Sequence, residues 1–143
     1  MNETQKERLT SLAKENGLTK DHFFKSPQGF VIITRQGIER IQAHKCIRVS
    51  YEVVSLSDDL KHVVIKATGE MSNTKGLPVQ METFGESAPH NYEQKTSRQG
   101  NPLPYYPMAM AEKRALSRVV LKLSGLYEVG VFGEDESDDF KRK

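Results

Sequence analysis

Ile47-Arg48-Val49-Ser50-Tyr51-Glu52-Val53 is the clearest alternation in the chain. Its odd positions are apolar or aromatic and its even positions polar, the period of two that a strand with one buried and one wet face requires. Ser57-Asp58-Asp59 is turn chemistry. The chain then returns with Val63, Ile65, Ala67, Gly69 and Met71 on one face. His62, Lys66, Thr68 and Glu70 lie opposite, Val64 being the apolar exception there. After a second loop at 72–78, residues 79–84 read as a third strand. The expected unit is an antiparallel meander with one solvated face.

Downstream, residues 86–104 carry no period and are rich in Ser, Pro, Asn, Gln and Gly, with Lys95 and Arg98 among them. A loop of this length inside a small domain is usually functional or disordered. Pro102, Pro104 and Pro107 stiffen the approach to a helix over about 108–124, and Pro107 suits its first turn. Met108, Ala111, Ala115, Leu116, Val119, Val120 and Leu123 form its apolar stripe. Arg114, Arg118 and Lys122 recur four residues apart beside that stripe, with Lys113 adjacent, and Gly125 ends the helix.

Upstream, residues 3–15 read as an amphipathic helix with Leu9, Leu12 and Ala13 inward and Gly17 as its stop. Residues 18–27 are a connector in which Phe23 or Phe24 reaches the core. Phe30-Val31-Ile32-Ile33 is a buried strand. Thr34 then caps a short helix carrying Ile38 and Ile41, although Gly37 in its first turn weakens it. The fold class is α+β: an antiparallel meander with helices packed on one face and an acidic C-terminal tail. The expected division is an N-terminal helix and connector (1–27), one α+β nucleic-acid-binding domain (28–133) and a charged tail (134–143).

The 143 residues suit one domain, large enough to bury a core without disulfides or metals. The longest strand-like apolar run is four residues, against roughly 20 for a membrane span, and no secretory signal is expected at the N-terminus. Cys46 is the only cysteine. That excludes an intramolecular disulfide and fits a reducing compartment, so the expected location is cytoplasmic. Net charge is +2, from 21 basic and 19 acidic residues, and predicts no partner by itself. Glu134, Asp135, Glu136, Asp138 and Asp139 cluster near the end, however, and without those five the remainder has 21 basic against 14 acidic residues, a net +7. A basic body with an acidic tail is compatible with polyanion binding, the tail competing for the same surface; it equally describes a solvated tail that aids solubility.

No phosphate-binding loop or dinucleotide fingerprint occurs. His22, His44, His62 and His90 are scattered, and His44-x-Cys46 has no second ligand pair. No nucleophile elbow is present. Neither catalysis nor a cofactor has positive support in the sequence. The row Arg114, Arg118, Lys122 is different, because a polyanion backbone is read by a spaced row of cations and arginine suits phosphate oxygens. The same row also reads as a solvated helix face. Tyr92, Tyr105 and Tyr106 either stack on bases or anchor the loop.

Ala111-Glu112-Lys113-Arg114-Ala115-Leu116-Ser117-Arg118, followed by Gly125 and Gly133-Glu134-Asp135-Glu136, resembles the last core helix and acidic exit of phage ERF-type (essential recombination function) single-strand annealing proteins. The Lys-Arg-Ala-Leu core is similar to the corresponding helix of their eukaryotic Rad-group relatives. The order of elements upstream is similar too, so the resemblance spans roughly residues 28–139. It implies a β-β-β-α core, assembly into rings or filaments, and ATP-independent binding and annealing of single-stranded DNA in homologous recombination of phage or mobile-element type. It also nominates Lys113 and Arg114 for the DNA groove; the basic stripe and loop add Arg118, Lys95 and Arg98. Against the family, the expectation is a short member without a distinct C-terminal partner-binding domain. Its acidic run ends in Phe140 followed by Lys141-Arg142-Lys143, a candidate for recruiting a protein partner. The alternatives are a protein that sequesters single strands without annealing them, and a non-enzymatic adaptor.

Overall fold

In the computed structural model, residues 2–88 and 106–136 are described. The meander is present as β3 (Arg48–Leu56), β4 (Val63–Ser72) and β5 (Pro78–Ser87), hydrogen-bonded in that order and antiparallel throughout. Tyr51 faces Ala67, and Ala67 faces Thr83. The register slips at Val53/Ser55, a β-bulge in β3. The first turn is tied by Ser57, whose hydroxyl donates to Asp59 at 2.6 Å. In the second, Asn73 Oδ1 accepts the main-chain N–H groups of Lys75 and Leu77.

Helix α3 (Pro107–Ser124) lies across β4 and β5. It ends at Gly125, whose φ of +84° is the left-handed conformation that lets a helix stop there. Two glycines let it approach the sheet closely. A Cβ at Gly85 would overlap the carbonyl oxygen of Ala111 and lie 2.5 Å from Ala115 N; one at Gly69 would lie 2.8 Å from Val119 Cγ2. Ala111, Ala115 and Val119 are accordingly fully buried against Ile65 and Ala67.

Helix α2 (Arg35–His44) packs against α3. It is capped as expected, Thr34 Oγ1 accepting the Gly37 N–H at 3.1 Å. Helix α1 (Glu3–Glu15) starts with a reciprocal cap between Asn2 and Gln5 and rests Leu9, Leu12 and Ala13 on the rim of the core. None of its residues is fully buried. Among the described residues no helix is long and apolar enough to cross a membrane.

The α+β class with an antiparallel meander is therefore present, and four details differ from the sequence reading. The connector 18–27 contains a strand, β1 (Phe23–Lys25), and a further strand, β6 (Val131–Gly133), follows α3. With β2 (Val31–Ile33) they form a second sheet in the order β1-β2-β6, in which β2 and β6 run parallel. Three-residue strands are too short to display a period, so only the apolar centre, β2, was visible. The third meander strand is longer than residues 79–84, extending over Pro78–Ser87. The apolar face of β3 is only partly covered: Ile47 is buried, but Tyr51 and Val53 are 42% and 50% exposed, because α3 packs over β4 and β5. Finally, Glu134–Glu136 form a 3-10 turn that folds back, so three residues assigned to the tail belong to the domain. Residues 137–143 lie outside the described residues.

Candidate nucleic-acid interface

Helix α3 carries the nominated cations. At 100° per residue, Arg114 and Arg118 point in nearly the same direction and Lys122 a further 40° round, whereas Lys113 precedes Arg114 by 100°. Their surroundings differ correspondingly. Arg114 is buried at 3% exposure, Arg118 and Lys113 are half-buried, and Lys122 is exposed. The row that reads as one cationic stripe in sequence thus runs from the interior outward.

Both arginines converge on Glu86 near the end of β5. Arg114 Nη1 donates to Glu86 Oε1 at 3.2 Å, while Arg118 donates from Nη1 to Oε2 at 2.8 Å and from Nη2 to Oε1 at 3.1 Å. Arg118 Nη1 also donates to the Phe84 carbonyl at 2.6 Å, and Arg118 Nε donates to Glu136. Hydrogen bonds from Arg118 hold the Glu86 carboxyl below its ordinary range despite partial burial. Burial pulls the Arg118 guanidinium down, but Glu86 and Glu136 outweigh it and hold the group above its usual value. Arg114 and Arg118 are thus already matched by carboxylates.

The acidic exit supplies the rest of this network. Ser117 Oγ donates to Asp135 at 2.8 Å, and Glu134 Oε1 accepts the Arg35 main-chain N–H at 2.6 Å, at the start of α2. An acid at a helix N-terminus is favourably placed. Gly133 makes the approach possible: a Cβ there would lie 3.0 Å from Ser117 Cβ. In the sequence this acidic run reads as a tail and Glu86 as the edge of a loop. The signal available was the spacing of Arg114 and Arg118, which fits one shared acid as well as a phosphate row.

The outer face of the meander is a different electrostatic surface. Lys66 sits between Glu52 and Glu82, at 3.2 and 3.7 Å, and Arg48 lies 3.6 Å from Glu70. Two cations against three acids make that face unsuited to a polyanion. Tyr106, at the entrance to α3, is 60% exposed. Lys95, Arg98, Tyr92 and Tyr105 lie outside the described residues, as does His90. Among the described residues no group of three or more His, Cys, Asp and Glu side chains could hold a metal ion.

Comparison of this chain with family models, with curated proteins and with solved structures finds no match.

Proposed function

We propose that the chain binds single-stranded DNA and anneals complementary strands without ATP, as a homo-oligomer and without catalysing bond chemistry. The observation that carries this reading is the convergence of Arg114 and Arg118 on the single carboxylate of Glu86, whose side chain is 50% exposed. Two guanidinium groups aimed at one oxyanion at the surface form the donor arrangement that also suits a phosphate. Exchange of Glu86 for a phosphate group releases the carboxylate to solvent and leaves the arginines paired. Lys113 and Lys122 add charge along α3, and Lys95 and Arg98 extend it from the loop. A meander followed by a helix laid on it is also the core that the family resemblance implies. Strand pairing is then accelerated by charge neutralisation and by holding bases outward.

The test is fluorescence annealing of two complementary oligonucleotides without ATP or magnesium. Faster pairing, weakened by salt and by Lys113→Ala with Lys122→Ala, supports the reading. Glu86→Gln should tighten binding, because it removes the charge that competes with phosphate. Slower pairing with clear binding makes the chain a sequestering protein. The adaptor reading is favoured by one observation, the prior pairing of Arg114 with Glu86 and of Arg118 with Glu86 and Glu136. It predicts no salt-dependent oligonucleotide binding even for Glu86→Gln, which would overturn the annealing proposal.

A further inference from the structure

The two edges of the meander are unequal. β5 opens with Pro78, which has no N–H to offer, and Arg118 occupies its Phe84 carbonyl. β3 is nine residues long, every residue but Val49 is exposed, and among the described residues nothing pairs along its outer side. A long exposed edge of this kind is a template for another strand. Its inward-facing side chains Tyr51, Val53 and Leu56 are 42%, 50% and 43% exposed, an apolar shelf that the rest of the domain covers only in part.

We propose that β3 pairs antiparallel with β3 of a second copy of this chain, Ser50 opposite Ser50, joining two meanders into one six-stranded sheet. The strand is self-complementary in that register. Arg48 falls opposite Glu52 and Glu52 opposite Arg48 on the outer face, while Val49 meets Tyr51 on the inner face. Opposite charges and apolar partners directly across a ladder are the stabilising pairs. Registers displaced by one step set Ser50 against Glu52, and by two steps set Glu52 against itself. The bulge at Val53/Ser55 ends regular pairing where the symmetric overlap ends. Arg48 is available for the contact: its side chain is 83% exposed and its link to Glu70 is 3.6 Å long. An exposed pair of that kind contributes little. The contact is isologous, so it closes on itself, and the Arg118-occupied β5 edges become the outer rims. It shares with the nucleic-acid reading only the expectation of a homo-oligomer.

The test uses the full chain. Sedimentation equilibrium of the unmodified protein should give a dimer of the 16.2 kDa chain. Cys46→Ser with Ser50→Cys should form a disulfide-linked dimer under mild oxidation, since paired Cα atoms lie about 4.5–5.5 Å apart, within disulfide range. Cys46→Ser with Gln80→Cys, on β5, should not. Arg48→Glu should weaken dimerisation about tenfold or more by opposing Glu52 across both halves, and Arg48→Glu with Glu52→Arg should recover most of it. A monomer at about 100 µM overturns the proposal, whether β3 is bare or covered by another segment of the same chain. So does cross-linking through Gln80 instead of Ser50. Annealing activity enters none of these readouts, so failure here and failure of the annealing proposal are distinguishable.

Discussion

Glu86 accepts hydrogen bonds from two arginines whose burial differs, and the three residues should respond differently to substitution. Arg114 is almost wholly enclosed, so Arg114→Ala removes a buried charge and leaves a gap beside Glu86. The expected loss is on the order of 3 kcal/mol, at the low end of the range for broken buried pairs because Glu86 is half exposed and keeps Arg118. Lys113→Ala should stay within about 0.5 kcal/mol of the parent in urea unfolding. Equal effects would mean that the two neighbours share one environment. The acid limb of stability belongs to this scale too. The folded-state Glu86 carboxyl titrates below its ordinary 4.5, chiefly through Arg118, so between those two values the unfolded chain binds more protons. Its stabilisation is present above that ordinary value and is lost as pH falls through the depressed one. Glu86→Gln should therefore flatten the decline of unfolding temperature in that window; an unchanged acid slope would place the linkage elsewhere.

Among the elements, α3 and β5 are joined at main-chain distance, with Thr83 Oγ1 donating to the Ala115 carbonyl at 2.8 Å. Gly85→Ala forces a methyl group into the α3 backbone and should cost about 3 kcal/mol or more, read as a loss of folded protein or a large fall in unfolding temperature. The same change at Gly76, which has nothing within 4 Å but a φ of +78°, should show only turn strain. For α2, Thr34→Ala removes the acceptor of the Gly37 N–H and should cost about 1 kcal/mol, measured by chemical denaturation. Placement of β1 and β6 around β2 was not legible in the sequence, because each has three residues and parallel pairing of β2 with β6 joins positions about 100 residues apart. The long meander was legible because strands of nine and ten residues repeat the alternation often enough to register.

The whole molecule is organised around β4, which is hydrogen-bonded on both sides and covered by α3. Amide exchange should be slowest in β4 and in the sheet-facing turns of α3, and fastest in α1, none of whose residues is fully buried. Protection of α1 equal to that of β4 would require it to unfold only with the whole domain. The acidic 3-10 turn also acts at this scale, since Glu134 reaches the start of α2 while Asp135 and Glu136 reach α3. By net charge alone that run is separable from a basic body. In the fold it neutralises part of that body.

The alternation of residues 47–71, the 3/4 spacing of residues 108–124, Thr34 as a cap and Gly125 as a stop determined the meander, its covering helix and the order in which they occur. These are local patterns, because strand and helix periods are properties of neighbouring residues. The fate of the charges was decided only by tertiary structure. Arg114 and Arg118 lie about 30 residues from Glu86 and 18 to 22 from Glu136, and a row of cations has the same spacing whether it meets phosphate or carboxylate. Which sheet edge stays open among the described residues was decided there as well. β3 and β5 are both edge strands of one meander, and only the direction in which α3 lies across it sends Arg118 to β5 and leaves Tyr51 and Val53 of β3 only partly covered.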